Sequence, residues 1–157
     1  MDSIPSSCNF KIESNGSVSE AFLAQGITNF PAACRYVKDL PYQRNCHKKH
    51  VQVVLDEQRG TCSTKHGLLK TLADENGCDT VQLRLGIYRL HRGNAPAVGP
   101  ILEAADLQYL PEAHWFLRMN GTIYDFTFPD FEIPDLEQEL LQEIDVRPDQ
   151  IGSAKDQ

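Results

Sequence analysis

Apolar residues recur at helical spacing through the first half of the chain and at every second position through much of the second half, which predicts helices followed by a sheet. Ser17-Val18-Ser19-Glu20 has the form of a capping box, with a hydroxyl for the N3 amide and a carboxylate returning to the Ser17 amide. It predicts a short helix closed by Gly26. A second helix is expected after Asn29, with Pro31 in its first turn and Ala33, Tyr36, Val37 and Leu40 at helical spacing before Pro41. Val51, Val54 and Leu55 suggest a third, ended by Gly60. From Cys62 to Asn76 the residues Leu68, Leu69, Leu72 and Ala73 fall on one helical face, with Thr61 as N-cap and Asn76-Gly77 as a left-handed stop.

At Thr80 the period changes to two. Val81, Leu83, Leu85 and Ile87 alternate with Gln82, Arg84, Gly86 and Tyr88, the pattern of a strand packed on one face. Residues 95–110 read as a connection with a short helical stretch at Ile101, Leu102 and Ala105. Asn120-Gly121 is a preferred type I′ turn, so 113–119 and 122–128 should form a hairpin. Leu136, Leu140, Leu141 and Ile144 suggest a last amphipathic helix. The fold class expected is α+β, with N-terminal helices on a largely antiparallel sheet. One domain over 1–157 follows, its core at about 17–146 and a polar tail at 147–157.

The 157 residues are 41% hydrophobic and carry a net charge of −7. An acidic chain is poorly suited to nucleic acid, where Lys and Arg dominate binding, so no nucleic-acid partner is expected. Nor is a membrane, since no run approaches ~18 apolar residues. The start Met1-Asp2-Ser3-Ile4-Pro5 lacks the basic and apolar stretches of a signal peptide. These features predict a cytoplasmic protein, where the five cysteines Cys8, Cys34, Cys46, Cys62 and Cys78 would be mostly free thiols.

Register arithmetic on the hairpin isolates a candidate site. With Asn120-Gly121 as the loop, opposed residue numbers sum to 241, so His114 faces Thr127 and Phe116 faces Asp125. His114 and Asp125 then share a face as diagonal neighbours, roughly 7 Å apart at the backbone, within reach of a hydrogen bond. Such a carboxylate would orient the imidazole and stabilise its charged form. Cys62 is the candidate nucleophile, because a thiol in the first helical turn lies at the positive end of the helix dipole. Gly60 would clear space for a substrate carbonyl, and the Cys62 amide would face the oxyanion. The bland alternatives are a structural thiol, a satisfied buried His-Asp pair and, for His66 one turn after Cys62, simple packing.

Arg59-Gly60-Thr61-Cys62-Ser63-Thr64-Lys65-His66 opening a helix, then Glu112-Ala113-His114-Trp115 and Tyr124-Asp125-Phe126-Thr127 on consecutive strands, resembles the transglutaminase-like superfamily of papain-type fold. The likeness covers about 58–127. It implies Cys62 as nucleophile, His114 as general base and acid, and Asp125 as orienting group, with Gln58, Thr61 and His66 as possible oxyanion or supporting residues. That superfamily often has an oxyanion-assisting Gln or aromatic upstream of the Cys; Gln58 lies four residues before it and Gln43 much farther. The implied activity is cysteine-dependent acyl transfer or hydrolysis at an amide bond, of protease, amidase or deamidase type, through a thioester. No cofactor is implied, and the partner would be a peptide or small amide-containing substrate. No Ca²⁺-ligand loop is present, so cross-linking is not implied. The alternative is a catalytically inactive binding or scaffold domain of the same fold.

Cys46 and His50, four apart, invite a zinc reading, but no second Cys/His pair matches and Lys48 and Lys49 repel a cation, so no metal is expected. That basic stretch reads as solvated surface or as an attraction for an acidic substrate.

Overall fold

A computed structural model describes residues 3–47, 50–130 and 132–152. Helix α1 (Ser17–Ala24) starts at Gly16, and its cap is not the expected box. The Glu75 carboxylate accepts from the Val18 and Ser19 amides at 3.1 and 2.6 Å, while Glu20 accepts from Ser14. An anion from elsewhere in the chain therefore meets the positive end of α1, a tertiary contact that local sequence does not encode. Helix α2 (Phe30–Asp39) is capped as expected, the Asn29 side chain accepting from the Ala32 amide at 2.9 Å. Helix α3 (Val53–Glu57) ends at Gln58, which takes a left-handed conformation (φ 53°), two residues before the stop expected at Gly60. Gly60 instead forms a parallel bridge with Tyr42, its amide donating to Pro41 O and its carbonyl accepting from Gln43 N.

Helix α4 (Cys62–Glu75) is the centre of the molecule. One side packs against α1 and α2, the other against the sheet. Leu68, Leu69 and Leu72 are fully buried, each worth ~1.5–3 kcal/mol of apolar transfer. The sheet has strands β1 (Val81–Leu90), β2 (Leu110–Met119), β3 (Thr122–Tyr124) and β4 (Leu140–Asp145) in the order β3-β2-β1-β4, with every neighbouring pair antiparallel. Between β1 and β2 runs the short helix α5 (Gly99–Ala105). Leu83, Leu85, Trp115, Leu117 and Tyr124 face the main core. The opposite face is covered too: Tyr88, Phe116 and Leu136 form a second, smaller cluster, so β1 is packed on both faces rather than one.

The end of the chain differs most from expectation. Leu136–Glu139 is a single helical turn, α6, and Leu140–Asp145 is strand β4, not a continuing helix. Pairing along β1 satisfies an otherwise open edge, and Arg84 bridges to Glu143 and Asp145 across it. Leu140 sits over Gly86, where a Cβ would lie 2.6 Å from Leu140 Cδ1 and 2.8 Å from Phe116 Cε1. The described tail is not merely polar: Val146 and Ile151 are buried, and Ile151 occupies the space a Gly67 side chain would need. Among the described residues no helix is long and apolar enough to cross a membrane.

Candidate active site

The hairpin forms in the register expected. Leu117 pairs with Tyr124, Arg118 with Ile123 and Met119 with Thr122, and Asn120 and Gly121 both have positive φ. The second strand stops at Tyr124, however, rather than Phe128. Two of the backbone donors that follow go to side chains: the Phe126 amide donates to His66 Nε2 at 2.8 Å and the Thr127 amide to Asp125 Oδ1 at 3.0 Å. The chain turns away from β2 at the point where Asp125 must reach His114.

His114 Nε2 donates to Asp125 Oδ2 at 3.0 Å, with the Thr127 hydroxyl 3.4 Å from the same nitrogen. The Thr127 hydroxyl also donates to Asp125 Oδ1, so both carboxylate oxygens are held. Burial alone would push the His114 pKa down, yet hydrogen bonds to Asp125 and to the Cys62 side chain, with the negative charge of both, raise it well above the ordinary value. Asp125 shows the converse: burial would raise its pKa, and the His114 interaction holds it well below the usual carboxylate range. The structure therefore brings together Cys62, His114 and Asp125, from the first turn of α4, from β2 and from the segment after β3.

Thr61 is the residue before α4 and caps it in part. The Thr64 hydroxyl accepts from the Thr61 amide at 2.9 Å and donates to the buried Asn45 at 2.8 Å. Asn45 in turn donates to Glu57, which also accepts from Cys46 and Arg59; hydrogen bonds from Cys46 and Asn45 hold the Glu57 carboxyl at about 2. The polar network thus fixes the loop before Cys62.

His66 is fully buried and its ring roles are determined by its partners. The Phe126 amide can only donate, so Nε2 is an acceptor, and the proton lies on Nδ1, which donates to Cys62 O at 2.7 Å. Burial keeps this imidazole neutral, with a pKa near 4. The 3.5 Å approach of Asp125 Oδ1 to Nε2 is accordingly not an ion pair. His66 stitches the start of α4 to the Asp125 segment. Gln58 is turned elsewhere: its amide donates to Leu55 O, and its oxygen accepts from Tyr36 at 2.6 Å, which takes it out of any oxyanion role. Gly60 is also small for a different reason from the one expected. A Cβ there would lie 2.8 Å from Lys65 Cγ, so the glycine admits the Lys65 stem.

Lys65 was not singled out by sequence and is fully buried. Its ammonium donates to the carbonyls of Leu40, Thr127 (2.8 Å) and Lys38 (3.3 Å), tying the end of α2 to the Asp125-Thr127 turn. Burial lowers its pKa to about 8. Tyr42, Tyr88 and Glu112 were also missed. Tyr88 pairs with Glu112 across β1 and β2, and its ring lies 6.0 Å from that of His114. Burial, Glu112, Asp125 and Cys62 together push the Tyr88 phenol up to about 12. Tyr42, half-exposed, packs its ring at a tilt against Phe128 at 4.8 Å, and its phenol is raised by burial and then by Cys62 and Glu112. Only the strand pairing and the Tyr42–Gly60 bridge bring these residues to the thiol, and neither is local in sequence.

Cys46 and His50 precede α3 and do not share a helical face; Lys48 and Lys49 lie outside the described residues. Among the described residues no group of three or more His, Cys, Asp or Glu is placed to hold a metal ion. No protein-family model, curated protein or solved structure matches the chain.

Proposed function

We propose that the protein is a cysteine-dependent acyl-transfer enzyme or hydrolase acting on an amide, with a domain of transglutaminase-like or papain-like type. The observation that carries this reading is the Asp125-His114-Cys62 relay, in which a buried imidazole donates to a buried carboxylate and hydrogen-bonds a thiol at a helix start. With Nε2 committed to Asp125, Nδ1 is the nitrogen available to the sulfur. Imidazolium and thiolate stabilise one another, so the pair titrates as a unit.

In the reaction, the Cys62 thiolate attacks the carbonyl carbon and forms a C–S bond, while the carbonyl electrons move onto oxygen. Backbone amides at the start of α4 stabilise that oxyanion. Collapse breaks the C–N bond, and His114 gives its proton to the departing amine. A water molecule or an amine, deprotonated by the same imidazole, then attacks the thioester and returns the thiolate. Asp125, held by Thr127, keeps the ring oriented through both halves.

An activated ester tests the chemistry without the natural substrate. p-Nitrophenyl acetate should give a burst of nitrophenol and an acetyl thioester mapped to Cys62, and Cys62→Ala should abolish the burst. Acetyl on the exposed Cys46 with none on Cys62 would overturn the proposal.

A further inference from the structure

The geometry points to a site that takes substrates carrying a cationic group, an ammonium or guanidinium, beside the scissile amide, with Glu112 as the residue that selects them. This deepens the proposed acyl-transfer reading and rests on it for the word substrate; the field at the thiol does not.

Glu112 is exposed on β2, two residues before His114 and therefore on the same face of the strand. It is directly opposite Tyr88, whose ring is edge-on to His114 at 6.0 Å. Among the described residues no cation is placed against its carboxylate, whereas Glu132, Glu137, Glu139 and Glu143 all engage Lys, Arg or His. Its charge is felt by both Tyr42 and Tyr88, which also feel Cys62, so the carboxylate, the two phenols and the sulfur share one neighbourhood. Two described cations lie in that neighbourhood: Arg44, which acts on Tyr42, and the His114 imidazolium, which is already matched by Asp125 and Cys62. Glu112 thus adds a negative charge beside Tyr88 that the His114 imidazolium, shared between Asp125 and Cys62, does not offset. A cationic group on the exposed side of β2 meets the Glu112 carboxylate at the edge of the buried Tyr88 ring, and a charge-assisted hydrogen bond to a carboxylate holds ammonium and guanidinium groups.

Thiol reagents that differ only in charge read this field with or without turnover. Wild-type protein, Glu112→Gln and, as a charge control, Glu103→Gln on α5 are treated with three methanethiosulfonates. These carry a trimethylammonium, a methyl or a sulfonate group, and modification of Cys62 is followed by peptide mapping. Wild type should favour the cationic reagent. Glu112→Gln should lower the cationic-to-neutral rate ratio about fivefold and raise the anionic-to-neutral ratio by a similar factor. Glu103→Gln should leave both ratios within about 1.5-fold. Equal changes in the two variants, no change in Glu112→Gln, or no modification of Cys62 by any reagent would overturn the inference. A loss of the acetyl-thioester burst with the Glu112-dependent ratio intact would instead strike the proposed chemistry and leave the charge preference standing.

Discussion

At the scale of single residues, the site is built from side chains whose hydrogen-bonding capacity is fully allotted. Asp125 spends one oxygen on His114 and the other on Thr127; Lys65 distributes its ammonium over three carbonyls; His66 donates from one nitrogen and accepts at the other. His66 has a measurable consequence. Its native pKa is near 4, against about 6.5 in the unfolded chain, so between those values the unfolded state binds a proton that the native state does not. Stability should therefore fall as pH drops from 6.5 to 4, by up to about 3 kcal/mol from this group. Urea midpoints at pH 7 and pH 4.5 should differ clearly in wild type and by much less in His66→Gln. An undiminished difference in the variant would show that another group is responsible.

At the scale of elements, β4 and Gly86 decide how the sheet is finished. Gly86↔His114 is a register pair, and Leu140 and Phe116 fill the space above the glycine. Gly86→Ala should cost about 1–3 kcal/mol by overpacking, read from the denaturant midpoint at constant slope. Combining it with Leu140→Ala should cost less than the two changes separately, by at least ~0.5 kcal/mol, since one void accepts the other's methyl. Strict additivity would mean that Leu140 yields freely. The same elements explain what was legible in the sequence. α2, α4 and the hairpin turn follow from caps and turn residues that act within a few positions, and the hairpin register placed His114 and Asp125 together from counting alone. β4 was not legible, because Leu136, Leu140, Leu141 and Ile144 satisfy a helical spacing until β1 offers a vacant edge. Lys65, Tyr88 and Glu112 were invisible for the same kind of reason: their roles depend on α2, β1 and β2 being neighbours.

At the scale of the whole molecule, α4 connects the chemistry to the core. Its first turn carries Cys62 and its buried face carries Leu68, Leu69 and Leu72, so the nucleophile is held by the same packing that stabilises the fold. His114 and Asp125 arrive from 52 and 63 residues farther along, on and just after a sheet pressed against that helix. The five cysteines separate accordingly: Cys8 and Cys34 are buried in the core, Cys46 is exposed, Cys78 is half-buried, and Cys62 has the His-Asp relay. The account's central claim is that His114 and Cys62 form a thiolate–imidazolium pair, and the pH dependence of Cys62 alkylation by iodoacetamide tests it most directly. In wild type the rate should stay nearly flat from pH 6 to 8 and exceed that of His114→Ala at least tenfold at pH 6.5. The variant should rise about tenfold per pH unit toward an ordinary thiol pKa near 8.5. Superimposable profiles for the two proteins would contradict it.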